Sequence, residues 1–468
     1  MIDQKQTSIP WLILCLTAIA YLPGCGEDAN KETISDSKAG AVDVAASQNG
    51  VPDSEGIEAE EDLSSNERRT LARPVSFEPN YVQAYAAELQ FDFPMEQPLK
   101  DAHALTIEWF GTPEAPKLPP VMTEEGSDYE DLLTLKNLNM AAGLSPATPI
   151  PSDHGLYQQL CVSCHGDSGQ GRGSVASSQN PYPRNFRKGV FKYKATSRNA
   201  KPTRDDLVNT LNRGLNGSQM PRFDYLSDQQ RVALAEYVIY LSIRGEFERK
   251  LLIFAALELD PYESEDPSPD SRLYDPGSES AEDQIEFATD ELTLILDDWI
   301  DADEEVDEIA VDVEFPVIGF TPDEKINRQE LDASIERGKQ LFVGSVAACS
   351  KCHGVDGIGT GAQLPDYDDW TKDYTSTANI DPKDDDAVLE MLIRGALPPQ
   401  PIDPRNLVEG KFRGGDDPVN IYRRIKHGIA GAPMPAAALA TSPESLGLSE
   451  SEMWDLVNFV LSLSRVQM

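Results

Sequence analysis

The sequence predicts a mainly α-helical protein built from two tandem copies of one helical domain, joined by an acidic linker and preceded by an irregular N-terminal extension. Three observations predict it. Four sequence blocks recur in the same order in two parts of the chain. The apolar residues around those blocks fall at helical spacing, and neither copy carries a strong run of alternating, β-branched residues.

The repeat sets the organisation. The first copy reads CVSCHGDSGQGRG from Cys161, PRNF at Pro183–Phe186, LVNTLNRGLNGSQMP from Leu207 and LSDQQRVALAEYVIYLS from Leu226. The second reads CSKCHGVDGIGTG from Cys349, PRNL at Pro404–Leu407, IYRRIKHGIAGAPMP from Ile421 and LSESEMWDLVNFVLSLS from Leu448. We place the copies at 152–250 and 328–468. The second holds about 30 additional residues between its first two blocks, with Trp370 and a short helical stretch AVLEMLIRG, expected as a surface insertion.

Helices are predicted element by element. Ser227 and Asp228 open a run with Val232, Leu234, Ala235, Val238, Ile239 and Leu241 on one face, extended through Glu246–Leu259. Ser449 opens another, with Met453, Leu456, Val457, Val460 and Leu461. The stretches before the cysteine pairs, His154–Leu160 and Asp332–Phe342, read as helices too. Between the copies, residues 251–327 form an acidic linker: from Glu258 to Glu314 there are 23 acids and one base, Arg272. Asp283–Ile300 within it is an amphipathic candidate, and the rest should be solvated, because like charges resist compaction. In contrast, Arg184–Arg204 carries eight bases and no acid. That stretch can dock an acidic partner, neutralise the linker, or do neither.

Residues 1–24 read as an export signal, with an apolar run Ile9–Leu22 that is short for a membrane span. Leu22-Pro23-Gly24-Cys25 resembles a lipoprotein cleavage site, making Cys25 the lipidation candidate; a cleaved signal or a short uncleaved anchor are the alternatives. Residues 25–70 read as a disordered tether, and 71–151 as an ordered but irregular extension packed on the first repeat. The expected location is the periplasmic side, tethered to a membrane through Cys25. The net charge of −40 argues against a nucleic-acid partner.

The remaining four cysteines form two Cys-x-x-Cys-His motifs, Cys161–Cys164–His165 and Cys349–Cys352–His353. Two thiols so spaced can add across the vinyl groups of a haem, and the adjacent imidazole can then reach the iron. Zinc needs four ligands and a redox dithiol a βαβ setting, and neither is evident. We therefore expect two covalently attached c-type haems with iron ligands His165 and His353. Met220 and Met434 occupy equivalent Gly-x-x-Met-Pro loops and are the candidates for the opposite axial position. A carbonyl in each PRN loop can accept the imidazole Nδ1–H, and Arg184 and Arg405 can pair with haem propionates. His103, His154 and His427 read as packing or surface residues.

These motifs resemble the class I c-type cytochromes across about half the chain. The resemblance implies three or more helices around each haem, the first and last crossing, with His165/Met220 and His353/Met434 as axial pairs. It further implies an extracytoplasmic respiratory electron carrier whose redox partners include a terminal oxidase or a quinol-oxidising complex. The alternatives are a haem enzyme such as a di-haem peroxidase, or an electron-transfer subunit of a membrane oxidoreductase.

Overall fold

The structure is a computed structural model that describes residues 76–143, 155–259, 272–361, 366–442 and 445–465. The signal segment, Cys25, the tether and His154 lie outside them. Among the described residues no helix is long and apolar enough to cross a membrane.

The first core is built on one long helix. In chain order the helices that matter are α1 (Tyr81–Phe91), α2 (Glu96–Phe110), α3 (Leu135–Ala141), α4 (Leu156–Leu160), α5 (Val162–His165), α6 (Arg204–Arg213), α7 (Asp228–Glu258) and α8 (Ala281–Ile300). Helix α7 starts at a capping box, with the Ser227 side chain accepting from Gln230 N. It runs through the predicted extension, and its residues from Ala233 to Ala255 are buried almost without interruption. Such all-round burial follows from what surrounds it: α1, α2, α3, α6 and α8 all pack against it.

Helix α4, at five residues, is too short to cross α7 alone. The extension supports it: α3 packs on the same helix. Buried Glu236 of α7 fixes α3 by accepting from Thr134 N at 2.9 Å and from Asn137 Nδ2 at 2.8 Å. The amphipathic helix of the linker is α8. Its Leu292, Ile295, Leu296 and Trp299 are buried, at about 1.5–3 kcal/mol each. That gain outweighs the screened repulsion of its outward carboxylates, so this part of the linker is packed rather than solvated.

The second domain comprises α9 (Arg328–Val343), α10 (Ser350–His353), α11 (Asp369–Thr377), α12 (Asp385–Ile393), α13 (Pro418–His427) and α14 (Glu450–Arg465). Helices α9 and α14, the first and last of the repeat, pack against each other. A Cβ on Gly338 would lie 2.0 Å from the Asp455 carbonyl, so glycine sets how closely the two backbones approach. Buried Asp455 then bridges them, accepting from Ser334 Oγ at 2.6 Å and Arg337 Nη2 at 2.8 Å. Strand is confined, among the described residues, to an antiparallel pair, Asp366–Tyr367 with Pro401–Ile402, at the base of the insertion.

The insertion is not merely surface decoration. Its Ile380, Val388, Met391 and Ala396 enclose Val82 of α1, and Arg394 stacks on the Tyr85 ring at 3.7 Å. The extension therefore contacts both repeats. The linker is tied down as well. Asp307 N donates to Ala195 O at 3.0 Å, while its carboxylate meets Lys426 Nζ at 2.8 Å and His427 Nε2 at 2.6 Å. Arg423 Nη2 donates to the Asp307 carbonyl at 2.8 Å. One acidic residue thus joins the first domain's basic stretch to α13.

Candidate functional site: two equivalent Cys-x-x-Cys-His centres

Each centre is a single helical turn closed by glycine. His165 N donates to Cys161 O at 2.8 Å, and His353 N to Cys349 O at 2.9 Å. The turn ends at Gly166 (φ 72°) and Gly354 (φ 75°), a conformation that glycine adopts without strain. The chain then folds back so that Gly171 N donates to His165 O and Gly359 N to His353 O, both at 2.8 Å. A Cβ at Gly359 would come within 2.4 Å of Pro404 O. Close approach of the PRN loop to the turn is therefore what the glycines permit.

The PRN loop supplies the acceptor expected of it. The atom is the carbonyl of the arginine, not of the proline: His165 Nδ1 lies 3.0 Å from Arg184 O, and His353 Nδ1 lies 3.0 Å from Arg405 O. A carbonyl only accepts, so Nδ1 carries the proton and Nε2 is left with its lone pair for a metal. Burial holds both rings neutral. It pushes the His165 pKa down to about 4, against the opposing effect of the Arg184 carbonyl, and lowers that of His353 in the same way. Phe186 stacks on the His165 ring at 4.5 Å between centroids.

The four thiols are unpaired. Burial, with the neighbouring cysteine adding to it, raises Cys161 to about 12. Burial likewise raises Cys349 to about 11. Among the described residues no three His, Cys, Asp or Glu side chains converge as a metal cage. What the donor set does fit is haem: two free thiols and a neutral, oriented imidazole on one turn, twice.

The methionine loops are duplicated as closely. Leu215 N donates to Met220 O and Ile429 N to Met434 O, each at 3.1 Å. Behind them Phe223 N donates to Leu211 O at 2.8 Å and Ala437 N to Ile425 O at 2.9 Å, hanging each loop on the helix before it. Met220 is half-buried against the core that also covers Cys161, and Met434 is half-buried too. Arg184 and Arg405 are half-buried, and burial together with the nearby charge of Arg413 lowers the pKa of Arg405.

Two features escape sequence reasoning. His427 hydrogen-bonds Asp307 of the linker. The basic stretch is largely consumed inside the molecule. Lys201 pairs with buried Glu246 at 2.5 Å, Arg204 donates to Asp131 O at 2.8 Å, and Arg187 is buried. Nothing in the local sequence around Asp307 or Glu246 marks them as the counter-charges.

Compared with known proteins, residues 151–238 match the family described as cytochrome c oxidase, cbb3-type, subunit III. Residues 335–464 match the family described as cytochrome c. No curated protein matches the chain. A solved chain from the Kuenenia stuttgartiensis reducing HAO-like protein complex is 25% identical over 66% of this chain and 94% of its own, with a TM-score of 0.37. That overlay is too loose to inform the site.

Proposed function

From a chain that carries two cytochrome c-type domains in tandem, each implying a covalently bound c-type haem, we propose an extracytoplasmic di-haem electron carrier with His/Met ligation at both irons. The observation that carries the reading is the duplicated centre, in which a neutral imidazole is oriented by a main-chain carbonyl at 3.0 Å beside two free thiols. Bound haem supplies reversible one-electron chemistry at iron. The chain's own residues do the rest. His165 and His353 would each donate Nε2 to an iron, and Cys161, Cys164, Cys349 and Cys352 would anchor the two haems through thioether bonds.

Met220 and Met434, in equivalent Gly/Pro loops, would offer the iron a soft thioether, which would favour the reduced state. Arg184 and Arg405 stand beside the carbonyls that orient the imidazoles and are the propionate candidates. Membrane attachment through Cys25 completes the reading. The match to an oxidase subunit favours a second version, in which the chain is the haem-bearing subunit of a membrane oxidoreductase rather than a free carrier.

Exchange with an outside partner is best served by the second domain. Cys352 is exposed, and Val355, Ile358, Val343 and Val346 around that turn are exposed at 71%, 42%, 46% and 44%. In the first domain the equivalent Cys164 is half-buried. An exposed apolar patch around this turn is what a docking face would look like.

The test is a potentiometric titration of the intact protein carrying both haems, followed in the visible bands. Two reversible one-electron steps support the carrier. A centre that changes only on adding a small ligand or an oxidised substrate overturns it in favour of an enzyme.

A further inference from the structure

The two methionine loops are gripped from opposite sides of the domain boundary. Arg198, in the first domain's basic stretch, donates through Nη1 to Met434 O at 3.0 Å, with His427 O at 3.5 Å and Ala432 O at 3.4 Å from the same guanidinium. In the other direction, Arg413 Nη2 donates to Gly217 O at 3.4 Å, in the loop that carries Met220. The two arginines come from the same segment of their repeats, between the PRN block and the helix leading to the methionine.

The fit is close. A Cβ on Gly428 would lie 2.5 Å from Arg198 Nη1, and one on Gly217 would lie 3.1 Å from Arg405 Nη1. The boundary is also rich in cations: Arg405 and Arg413 are near enough to depress the pKa of Arg405 further, and the buried Nε atoms of Arg413 and Arg424 lack partners.

We propose that Arg198 and Arg413 form a reciprocal interdomain clamp, each positioning the methionine loop of the other domain and tuning that domain's haem. This rests on Met220 and Met434 as axial ligands. The physical case has two parts. The Arg198 guanidinium, bonded to several carbonyls of one loop, restricts it and keeps the sulfur in place, while Arg413 holds its loop at the Gly217 carbonyl. Its positive charge, in a partly desolvated boundary, favours the less positive, ferrous state of the centre it faces. Arg198 and Arg413 are positioning residues, and their effects must appear in the domain that does not contain them.

The experiment compares full-length protein carrying both haems with Arg198→Gln, Arg413→Gln and Arg198→Lys, by potentiometric titration. The two potentials are assigned with Met434→His, which lowers only its own domain's value. Arg198→Gln is expected to lower the reduction equilibrium constant of the second domain's haem by about tenfold, about 59 mV for one electron, leaving the first unchanged. Arg413→Gln gives the mirror result, and Arg198→Lys recovers most of the loss by keeping the charge. The clamp is overturned if the shifts fall in the arginine's own domain, in both domains alike, or in neither. The near-infrared methionine-to-iron band of the unsubstituted protein judges methionine ligation separately. Its absence sinks the ligand reading and the clamp with it, while its presence without a cross-domain shift overturns the clamp alone.

Discussion

Replacing Met220 or Met434 by alanine should open one iron at a time. Each single variant of the reduced protein is expected to bind one equivalent of carbon monoxide, and the double variant two, measured in the visible spectrum. If neither single variant binds it, some other group holds the position. At this scale the centre itself was legible in the sequence, because Cys-x-x-Cys-His and Gly-x-x-Met-Pro confine their chemistry to neighbouring residues. Their support was not. Buried Glu248 accepts from Asn80 N at 3.1 Å and faces buried Arg244 at 3.7 Å. Burial raises its pKa, but the nearby His103 ring at 3.9 Å and the charges of Arg244 and Arg187 outweigh that and leave it lowered. Arg244 sits one turn away on the same helix, but Asn80, His103 and Arg187 come from distant parts of the chain, so no local pattern announces them. Glu248→Gln should cost about 3–5 kcal/mol in chemical unfolding, because it strands a buried guanidinium.

Helices were readable wherever apolar residues recur at helical spacing. The α7, α8 and α14 runs repeat apolar residues at helical spacing, and the observed bounds lie close to the predicted ones. What the pattern could not tell was what each apolar face meets. The face of α8 looked adequate for a helix but gave no sign that α7 would cover it. Gly338 looked like any helix-interior glycine, yet it is where α9 touches α14. Gly338→Ala gains helix propensity of about 1 kcal/mol, but the 2.0 Å contact with the Asp455 carbonyl forces the helices apart. A net loss of about 1–3 kcal/mol in the second domain's stability is expected. A stabilised variant in thermal unfolding would show that the crossing is not tight.

For the molecule as a whole, the duplicated architecture was visible in the repeat, whereas the ties between its halves were not. Asp307 is one such tie. Burial raises its pKa, but hydrogen bonds and charge from Lys426 and His427 lower it below the ordinary 3.8. A depressed carboxylate contributes stability in full above its unfolded value and loses it as pH falls through the folded value. The contact between the basic stretch, the linker and α13 should therefore hold above about pH 4 and loosen below it. Small-angle scattering should record expansion there, and Asp307→Asn should show it already at neutral pH; a radius indifferent to both would remove Asp307 from the account. The exposed patch makes a separate prediction. Val355→Asp with Ile358→Asp should slow electron exchange with an apolar or acidic partner without moving either potential, in stopped-flow reduction by that partner.

The account stands or falls on whether both irons are saturated by the chain's own ligands. The direct measurement is carbon monoxide binding to the dithionite-reduced, unsubstituted protein, read in the visible spectrum. The account predicts no binding at either centre. Ready binding at one centre would contradict it, freeing that methionine from the iron and making a haem enzyme the better description.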